Sequence, residues 1–331
     1  MKINAGIIGM GIGQKHFDAI EGYKNSIVKI ICEKDPTKIK KLKKKYPNKL
    51  ITSDENKIFS DKSVNLVSIA SYDNFHFKQI VKSIHTNKHI IIEKPMCLKL
   101  DELIKIKKLL KKNPSIKIIS NLVLRVNDLF LNFKSQIKKN KTIYIEADYM
   151  WGRKHKLSEW RNKIKDYSIT LGAGIHMIDL IMWFLKLRPL SVQTFGSKKG
   201  NEGTLFKKDS LIVYIFNFPN NIIAKVSANG FAVTNHFHDV KIYQSDKTLI
   251  NSITGAYSLI KKNNEIKMNK IASKYPDKLN RKKLIQNFVD SLKNKQKKPL
   301  ITIKEQIDLM CACFAADKSL KNNKKIIIKY I

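Results

Sequence analysis

The chain has 331 residues, 43% of them hydrophobic and 27% charged, which is the composition of a globular protein with room for two domains. It contains no run of about 18 consecutive apolar residues and no secretory signal pattern, so we expect a cytoplasmic protein that does not enter a membrane. Its four cysteines lack the pairing and histidine spacing of zinc sites or disulfide frameworks, so no metal is expected.

The formal net charge is +37, which raises the possibility of nucleic-acid binding. The excess is mostly lysine, spread along the chain and interleaved with Ile and Leu at helical spacing, for example in "KIKKLKKKYPNK". This pattern is typical of solvated faces of amphipathic helices. We therefore expect no specific nucleic-acid partner and assign the charge to solubility and to attraction of anionic substrates.

Strand-like and helical stretches alternate through the first third of the chain. The predicted strands are "KINAGIIGM", "SIVKIICEKD", "VNLVSIAS", "HIIIEKP" and "IKIISNLVL". Helical patterns lie between them, and one of these begins with Asp35 as N-cap and Pro36 at its first position. The alternation predicts a doubly wound parallel sheet, a Rossmann dinucleotide-binding domain over residues 1–122, with ligands at the carboxyl ends of the strands.

The pattern changes in residues 123–331. After "TIYIEADYMWGR" comes an apolar helix, "GIHMIDLIMWFLKL", followed by the strand-like runs "LSVQTFGS", "SLIVYIFNF", "IIAKVSANGF" and "DVKIYQS". Two terminal helices and a last strand, "KIIIKYI", close the chain. This order predicts a C-terminal α+β domain with a mainly antiparallel sheet, and the protein as a whole is α/β.

The stretch "GIIGMGIGQKH" resembles a dinucleotide-binding turn with a shifted third glycine. Gly9 suits the tight turn, Gly11 lets the backbone approach a pyrophosphate, and Gly13 suits close packing of helix on strand. Met10 and Ile12 complete the cofactor-binding loop. The alternative is a glycine-rich turn without a ligand.

An acidic residue at the end of the second strand is expected to hold the adenosine ribose. Glu33 is in that position, and its carboxylate would repel a 2′-phosphate, which favours NAD. Lys34 follows it and argues the other way, so NADP stays open.

"HIIIEKPM" is the most informative stretch, because it places Lys94 at the end of a buried strand. Here the chain resembles the Gfo/Idh/MocA family of nicotinamide-dependent sugar oxidoreductases. The resemblance extends over the glycine loop with the following His16, "ICEKDP", "ASYDNFH", "EKP", "GAGIHMIDL" and "FVDSLKNKQKKPL". It implies that Lys94 is catalytic and precedes a cis proline. An ammonium in this position can stabilise a developing alkoxide or relay a proton.

The second catalytic stretch is "LGAGIHMIDL", in which His176 and Asp179 lie three apart and so share one helix face. The resemblance implies that His176 is the general base and that Asp179 touches substrate hydroxyls. Many family members carry an aspartate four residues before the histidine, where this chain has Gly172. This departure resembles a subgroup that acts on sugars of surface polysaccharides.

Further candidates follow from the same resemblance. We expect Ser71, Tyr72 and His76 to lie near the nicotinamide, with Glu93 beside them. Cationic and aromatic groups, in part on a predicted loop, are candidates for substrate binding with Lys94, His176 and Asp179, since arginine suits carboxylate or phosphate: Arg125, Arg153, His155, Trp160, Arg161 and Tyr167.

The residues and the resemblance together predict an enzyme that transfers hydride between NAD(P) and a secondary hydroxyl of a sugar or nucleotide sugar, with Lys94 and His176 as its acid–base pair. Two alternatives are a redox-assisted glycosidase that uses NAD transiently and a non-catalytic dinucleotide-sensing regulator. The resemblance also implies a homodimer or homotetramer.

Overall fold

The structure is a computed structural model that describes residues 2–263, 265–273, 275, 280–294 and 296–331. Its strands are β1 Ile3–Ile8, β2 Ser26–Cys32, β3 Leu50–Thr52, β4 Leu66–Ile69, β5 His89–Ile92, β6 Ile118–Ser120, β7 Thr142–Met150, β8 Ser191–Ser197, β9 Leu211–Asn217, β10 Ile223–Asn229, β11 Phe237–Gln244, β12 Lys247–Ser252, β13 Gly255–Lys262, β14 Glu265–Ile271 and β15 Ile326–Ile327. Its α-helices are α1 Gly13–Ile20, α2 Pro36–Lys45, α3 Asn56–Ser60, α4 His76–His85, α5 Leu100–Lys112, α6 Asp128–Gln136, α7 His155–Ser158, α8 Ile175–Leu185, α9 Arg281–Lys293 and α10 Ile303–Asn322.

The chain divides into two compact units. The first contains Met1–Val123 and Leu279–Ile307, and the second contains Leu124–Lys278 and Asp308–Ile331. The first division falls close to the expected boundary after residue 122. The sequence predicted a single domain over residues 123–331, whereas in the structure α9 and the start of α10 belong to the first unit.

The first unit is built on a parallel six-stranded sheet of order β3-β2-β1-β4-β5-β6. Its central strands are rich in isoleucine, and Ile90, Ile91 and Ile92 of β5 are fully buried, as expected for strands covered by helices on both faces. Because all six strands run the same way, the residues that follow them meet at one sheet edge. The predicted Rossmann domain is confirmed.

Local sequence signals account for several boundaries in this unit. Helix α2 begins after Asp35, whose carboxylate accepts from the backbone N–H groups of Thr37 and Lys38, and Pro36 is its first residue. Both features agree with the sequence prediction. Strand β3 and helix α3 were not predicted, because each is only three to five residues long.

The second unit is built on a nine-stranded sheet of order β14-β13-β12-β11-β7-β10-β9-β8-β15. Its neighbouring strands are antiparallel except for the parallel pair β7 and β10, so the predicted mainly antiparallel sheet is confirmed. In β9 and β11, buried and half-buried residues alternate, which is typical of a sheet with one covered face. Ile212, Tyr214 and Phe216 of β9 point to that covered face.

Three parts of the second unit differ from the sequence reading. Helix α6 and the hairpin strands β12–β14 were not predicted, and the predicted last strand shortens to β15. Among the described residues, no helix combines the length and the apolar character needed to cross a bilayer.

Candidate active site

The glycine turn after β1 has the geometry that its spacing predicts. Gly9 has φ +86°, and a Cβ there would lie 2.6 Å from the backbone oxygen of Ala70. A Cβ on Gly13 would press against Ile7 and Ala70, at 3.1 and 3.3 Å. By contrast, nothing lies within 4 Å of a Cβ on Gly11, which is exposed. The shifted glycine therefore serves helix packing, and the open side of the turn is at Gly11.

The open side of this turn suits a pyrophosphate. Helix α1 begins at Gly13, and the residue before it, Ile12, makes no side-chain cap to the first backbone N–H groups. Free N–H groups and the helix dipole favour a negative charge at such an end. Together with the space at Gly11, the loop from Gly9 to Gly13 fits the phosphates of a dinucleotide.

Glu33 closes the turn from the neighbouring strand end. Its carboxylate accepts from the backbone N–H of Met10 at 2.9 Å through Oε2, and from Lys34 and Asp35 at 2.8 and 3.1 Å through Oε1. Glu33 is buried, whereas Lys34 is exposed. The carboxylate thus braces the loop, and the second lone pair of Oε2 is available to a ribose hydroxyl.

Lys94 follows β5 at the same sheet edge, and the residue before it is held by a buried network. His16 Nε2 donates to Glu93 Oε1 at 3.0 Å, and Asn121 Nδ2 donates to the same oxygen at 2.6 Å. His16 Nδ1 lies 2.7 Å from the Ser68 hydroxyl. The network joins α1, β4, β5 and the end of β6 around the backbone that carries Lys94.

The charge of Glu93 is stabilised in this network. Burial opposes ionisation and would raise its pKa, but the hydrogen bond and charge of His16, the hydrogen bond from Asn121 and the charge of Lys94 outweigh it. The result is a pKa of about 2 for Glu93. Glu93 is therefore a permanent anion next to the half-buried Lys94.

His76 fixes the other side of the same segment. The Lys94–Pro95 peptide is cis, and His76 Nδ1 lies 2.7 Å from the Pro95 carbonyl oxygen, while Nε2 lies 3.1 Å from that of Ser71. The Ser71 hydroxyl donates to Gln79 at 2.6 Å. His76, which we expected to contact the cofactor, is thus fully buried against the segment that carries Lys94. Among the residues expected near the nicotinamide, Tyr72 is exposed, with 52% of its surface accessible.

In the second unit, His176 lies in the first turn of α8 and is 8% exposed. Its ring stacks on Tyr149 of β7, with centroids 5.9 Å apart and planes 9° apart. Tyr149 also meets the rings of His236 and His238 at 5.1 and 4.8 Å. The Tyr149 ring, which itself contacts His236 and His238, therefore holds the His176 ring in a fixed orientation.

Sequence reasoning missed Tyr149, His236 and His238. His238 lies on β11 and His236 directly precedes that strand, two residues earlier, and Tyr149 is the cross-strand partner of His238. The only signal in the sequence is that spacing, because the pairing of β11 with β7 joins segments almost 90 residues apart. In the described residues, no group of His, Cys, Asp or Glu is arranged to hold a metal.

Arg125 and Asp179, both expected to face substrate, are paired with each other. The Arg125 guanidinium bonds Asp179 through Nε at 3.1 and 3.0 Å and through Nη2 at 2.6 Å. Arg125 is 4% exposed and Asp179 is 1% exposed. The pair anchors α8 to the segment after β6, and the burial removes both groups from contact with solvent.

Position 172 lies in a single π-helical turn, Thr170–Gly174, that leads into α8. A Cβ on Gly172 would lie 1.9 Å from the hydroxyl oxygen of Tyr167. Tyr167 is 3% exposed, and its ring packs against Trp160 and Phe206 at 6.5 and 6.2 Å. The Tyr167 hydroxyl therefore occupies the space that an aspartate at position 172 would need.

The segment predicted as a loop after β7 contains helical turns instead. Backbone bonds from Lys156 to Arg153 and from Leu157 to Lys154, at 3.0 and 3.1 Å, form α7, and a 3₁₀ turn follows at Trp160–Lys163. The guanidinium of Arg161 stacks on Trp160, 4.2 Å from the ring centre. Arg153 is half-buried, and His155 is exposed.

Comparison with known proteins defines the class. Residues 3–120 match a model of an oxidoreductase family with an NAD-binding Rossmann fold, in agreement with the strand order and the glycine turn. The first unit therefore belongs to a family of NAD-binding oxidoreductases, and the expected cofactor, NAD with NADP open, is confirmed. Residues 141–250 match the Gfo/Idh/MocA C-terminal domain. The chain belongs to the Gfo/Idh/MocA family.

Two curated relatives match part of the chain. Over 102 residues it is 28% identical to the uncharacterized oxidoreductase YdgJ of Escherichia coli (strain K12) and 31% identical to the uncharacterized oxidoreductase YrbE of Bacillus subtilis (strain 168). The matched segment covers 30% of this chain in both cases, and 29% and 30% of the two relatives.

Solved structures match almost the whole chain at low identity. The scyllo-inositol dehydrogenase of Lactobacillus casei, with bound NAD(H) and scyllo-inositol, is 18% identical with a TM-score of 0.81 and 99% coverage of both chains. The myo-inositol 2-dehydrogenase of Lactobacillus plantarum is 16% identical with a TM-score of 0.83, covering 99% of this chain and 100% of that one. At these identities the likeness shows a shared fold.

We expect the charge of Glu93 to stabilise the first unit in a pH-dependent way. A pKa of about 2 in the folded protein, against an ordinary value of 4.5, contributes stability that is complete above pH 4.5 and is lost as the pH falls towards 2. Glu93→Gln keeps an oxygen for both donors but removes the charge. It should lower the free energy of unfolding by about 2 kcal/mol at pH 7.

Urea denaturation at several pH values measures this effect. The gap between wild type and Glu93→Gln should narrow steadily below pH 4.5. A gap of the same size at pH 7 and pH 3 would show that the charge of Glu93 is not what stabilises the network. Glu202→Gln, at an exposed position between β8 and β9, is a control for loss of one carboxylate.

We expect Gly172→Ala to destabilise the protein by about 2 kcal/mol, because the new methyl group would overlap the Tyr167 hydroxyl. In an ordinary helix the same change is favourable by about 1 kcal/mol. In a Tyr167→Ala background the overlap disappears, so Gly172→Ala should then be neutral or stabilising. Chemical denaturation of wild type, the two single variants and the double variant gives the coupling free energy between positions 167 and 172. If Gly172→Ala lowers the free energy of unfolding equally in both backgrounds, the steric explanation is wrong.

Proposed function

We propose that the protein transfers hydride between NAD and a secondary hydroxyl of a sugar or nucleotide sugar, with Lys94 and His176 acting on the hydroxyl. The observation that carries this proposal is the anchoring of Lys94. His16, Asn121 and His76 hold the residues on both sides of it at the sheet edge where the glycine turn also lies. Such precise support is typical of a group that must meet a reacting atom.

The cofactor would be held by residues of the first unit. The loop from Gly9 to Gly13, including Met10 and Ile12, would bind the pyrophosphate, and Glu33 would accept a hydrogen bond from the adenosine ribose. A buried carboxylate in that position disfavours a 2′-phosphate, which supports NAD over NADP. When bound, the nicotinamide supplies the hydride acceptor for oxidation and the hydride donor for reduction.

Lys94 would donate a hydrogen bond to the substrate oxygen. As the carbinol carbon loses its hydride, the oxygen gains negative charge, and an adjacent ammonium stabilises that charge. The permanent anion of Glu93 favours the charged form of Lys94 through their attraction. The lysine thus acts as an electrostatic partner throughout the reaction.

His176 would take the hydroxyl proton. A neutral imidazole has one nitrogen that can accept this proton, and stacking on Tyr149 keeps the ring in one orientation. The secondary alcohol loses a hydride from carbon and a proton from oxygen, and the product is a ketone. In the reverse direction His176 returns the proton to the oxygen.

The substrate class is inferred from similar proteins. Two of the structures that share this fold are inositol dehydrogenases, and scyllo-inositol is bound to one of them. A polyhydroxylated ring is therefore the first class to test for this chain.

We also infer that copies of the chain associate through the open face of the nine-stranded sheet. On this face Tyr144 and Tyr243 stack at 5.7 Å, and the apolar residues Ile223, Ile266 and Met268 are 43%, 72% and 64% exposed. Exposed apolar groups on a sheet face favour burial against a partner.

Light scattering should give the mass of a dimer or tetramer of the 38.2 kDa chain, and Met268→Lys should lower the measured mass towards that of a single chain. A monomer for wild type would contradict this inference.

We expect Lys94→Ala to lower kcat/KM for NAD-linked oxidation by at least about 100-fold, because the developing alkoxide loses its partner. His176→Asn should have an effect of similar size. NADH absorbance with a panel of sugars and nucleotide sugars is the measurement. Lys78→Ala, an exposed lysine on α4, is the matched control.

Three outcomes would count against the assignment. Lys94→Ala with wild-type turnover would show that this lysine is not catalytic. Sugar release from glycosides without net NADH formation would point to a redox-assisted glycosidase, and cofactor binding without any turnover would point to a regulator.

A further inference from the structure

Three cations crowd the short segment between β7 and the π-helical turn. Arg153, Lys156 and Arg161 are all half-buried. Within the described parts of the chain, none of the three forms an ion pair with a carboxylate; the neighbouring Glu159 is exposed. Half-buried positive charges without a counter-charge are costly, since burial and mutual repulsion both oppose them.

The electrostatics of Lys156 show this crowding. Burial lowers the pKa of Lys156, and the positive charges of Arg153 and Arg161 lower it further, while Glu159 opposes them. An anion bound at this segment would relieve the repulsion between the three groups.

Arg161 is held in place by its surroundings. Its guanidinium lies 4.2 Å from the ring centre of Trp160 and 5.3 Å from that of Trp151. One nitrogen, Nη1, donates to the Lys156 carbonyl at 3.3 Å. A guanidinium has five N–H donors in a planar fork, so an arginine fixed by stacking presents a preformed site for a carboxylate or phosphate.

The cationic segment is connected to the turn before His176. The ring of Trp160, on which Arg161 stacks, packs against Tyr167, whose hydroxyl covers Gly172. Gly172 lies in the π-helical turn that leads directly into α8, four residues before His176. The polar group next to position 172 is therefore the Tyr167 hydroxyl, which takes the space that a carboxylate would need.

We propose that Arg153, Lys156 and Arg161 bind an anionic group of the substrate, so that the enzyme acts on an acidic sugar that carries a carboxylate or a phosphate. The inference rests on the proposed function for the reaction, but the binding it describes can be measured without turnover. A hydroxyl group in this place, in contrast to a carboxylate, agrees with it, because a carboxylate would repel an anionic substrate.

Calorimetric titration of the full-length protein tests the binding. The probes are glucuronate for the carboxylate, glucose 1-phosphate for the phosphate and glucose as the neutral control. We expect at least one anionic probe to bind at least about tenfold more tightly than glucose, with an affinity that falls as salt is raised. Which anion binds more tightly distinguishes a sugar acid from a sugar phosphate or nucleotide sugar.

Three variants and one control connect the binding to the cationic segment. Arg153→Gln and Arg161→Gln should each weaken the anionic probe by about tenfold and leave glucose unchanged. Lys163→Gln removes one charge from an exposed lysine in the same segment and should have little effect. Arg153→Lys, which keeps the charge without the planar fork, should bind with intermediate strength.

Three results would overturn the inference: glucose binding as tightly as the anions, no binding of any probe, or equal losses in Lys163→Gln and Arg161→Gln. Its failure is distinguishable from that of the proposed function. Anion binding that depends on Arg153 and Arg161 without NADH formation supports the anionic site and rejects the oxidoreductase mechanism, whereas NADH formation from neutral sugars alone does the reverse.

Discussion

The arrangement of the first unit depends on one carboxylate, that of Glu93, whose side chain is only 14% exposed. Glu93 accepts hydrogen bonds from His16 on the first helix and from Asn121 after the last strand, so a single oxygen joins elements that are more than 100 residues apart in the chain. A carboxylate can be buried only if such donors replace its water. The same bonds that stabilise its charge also fix the backbone next to Lys94, which makes the network both a structural element and a support for that lysine.

In the second unit, the turn before His176 is held by packing and has no carboxylate at position 172. The turn before His176 is crowded by Tyr167, which leaves room only for a glycine at position 172. Arg125 and Asp179 are both buried and form an ion pair, in which each charge compensates the other. This pair holds helix α8, which carries His176. Glycine at position 172 agrees with this packing, because the Tyr167 hydroxyl takes the space that a side chain would need.

Prediction from the sequence was most successful where the signal is local. The glycine turn, the cap at Asp35 and the end of β5 at Lys94 each follow from residues within a few positions of one another, and their geometry is as expected. Arg125 and Asp179 show the limit of such reasoning. Both residue types suit a substrate site, but whether they face a ligand or each other depends on how the segment after β6 packs on α8.

The sequence by itself determined the Rossmann class of the first unit, the antiparallel character of the second and the positions of Lys94 and His176, because periodicity and turn chemistry act over short distances. Only the tertiary structure decided what surrounds those two residues. The bracing of Lys94 by His16 and the stacking of His176 on Tyr149 join segments far apart in the chain, and the exclusion of a side chain at Gly172 depends on where the nearby Tyr167 ring packs. Such contacts depend on strand order and side-chain volume, which no local pattern encodes.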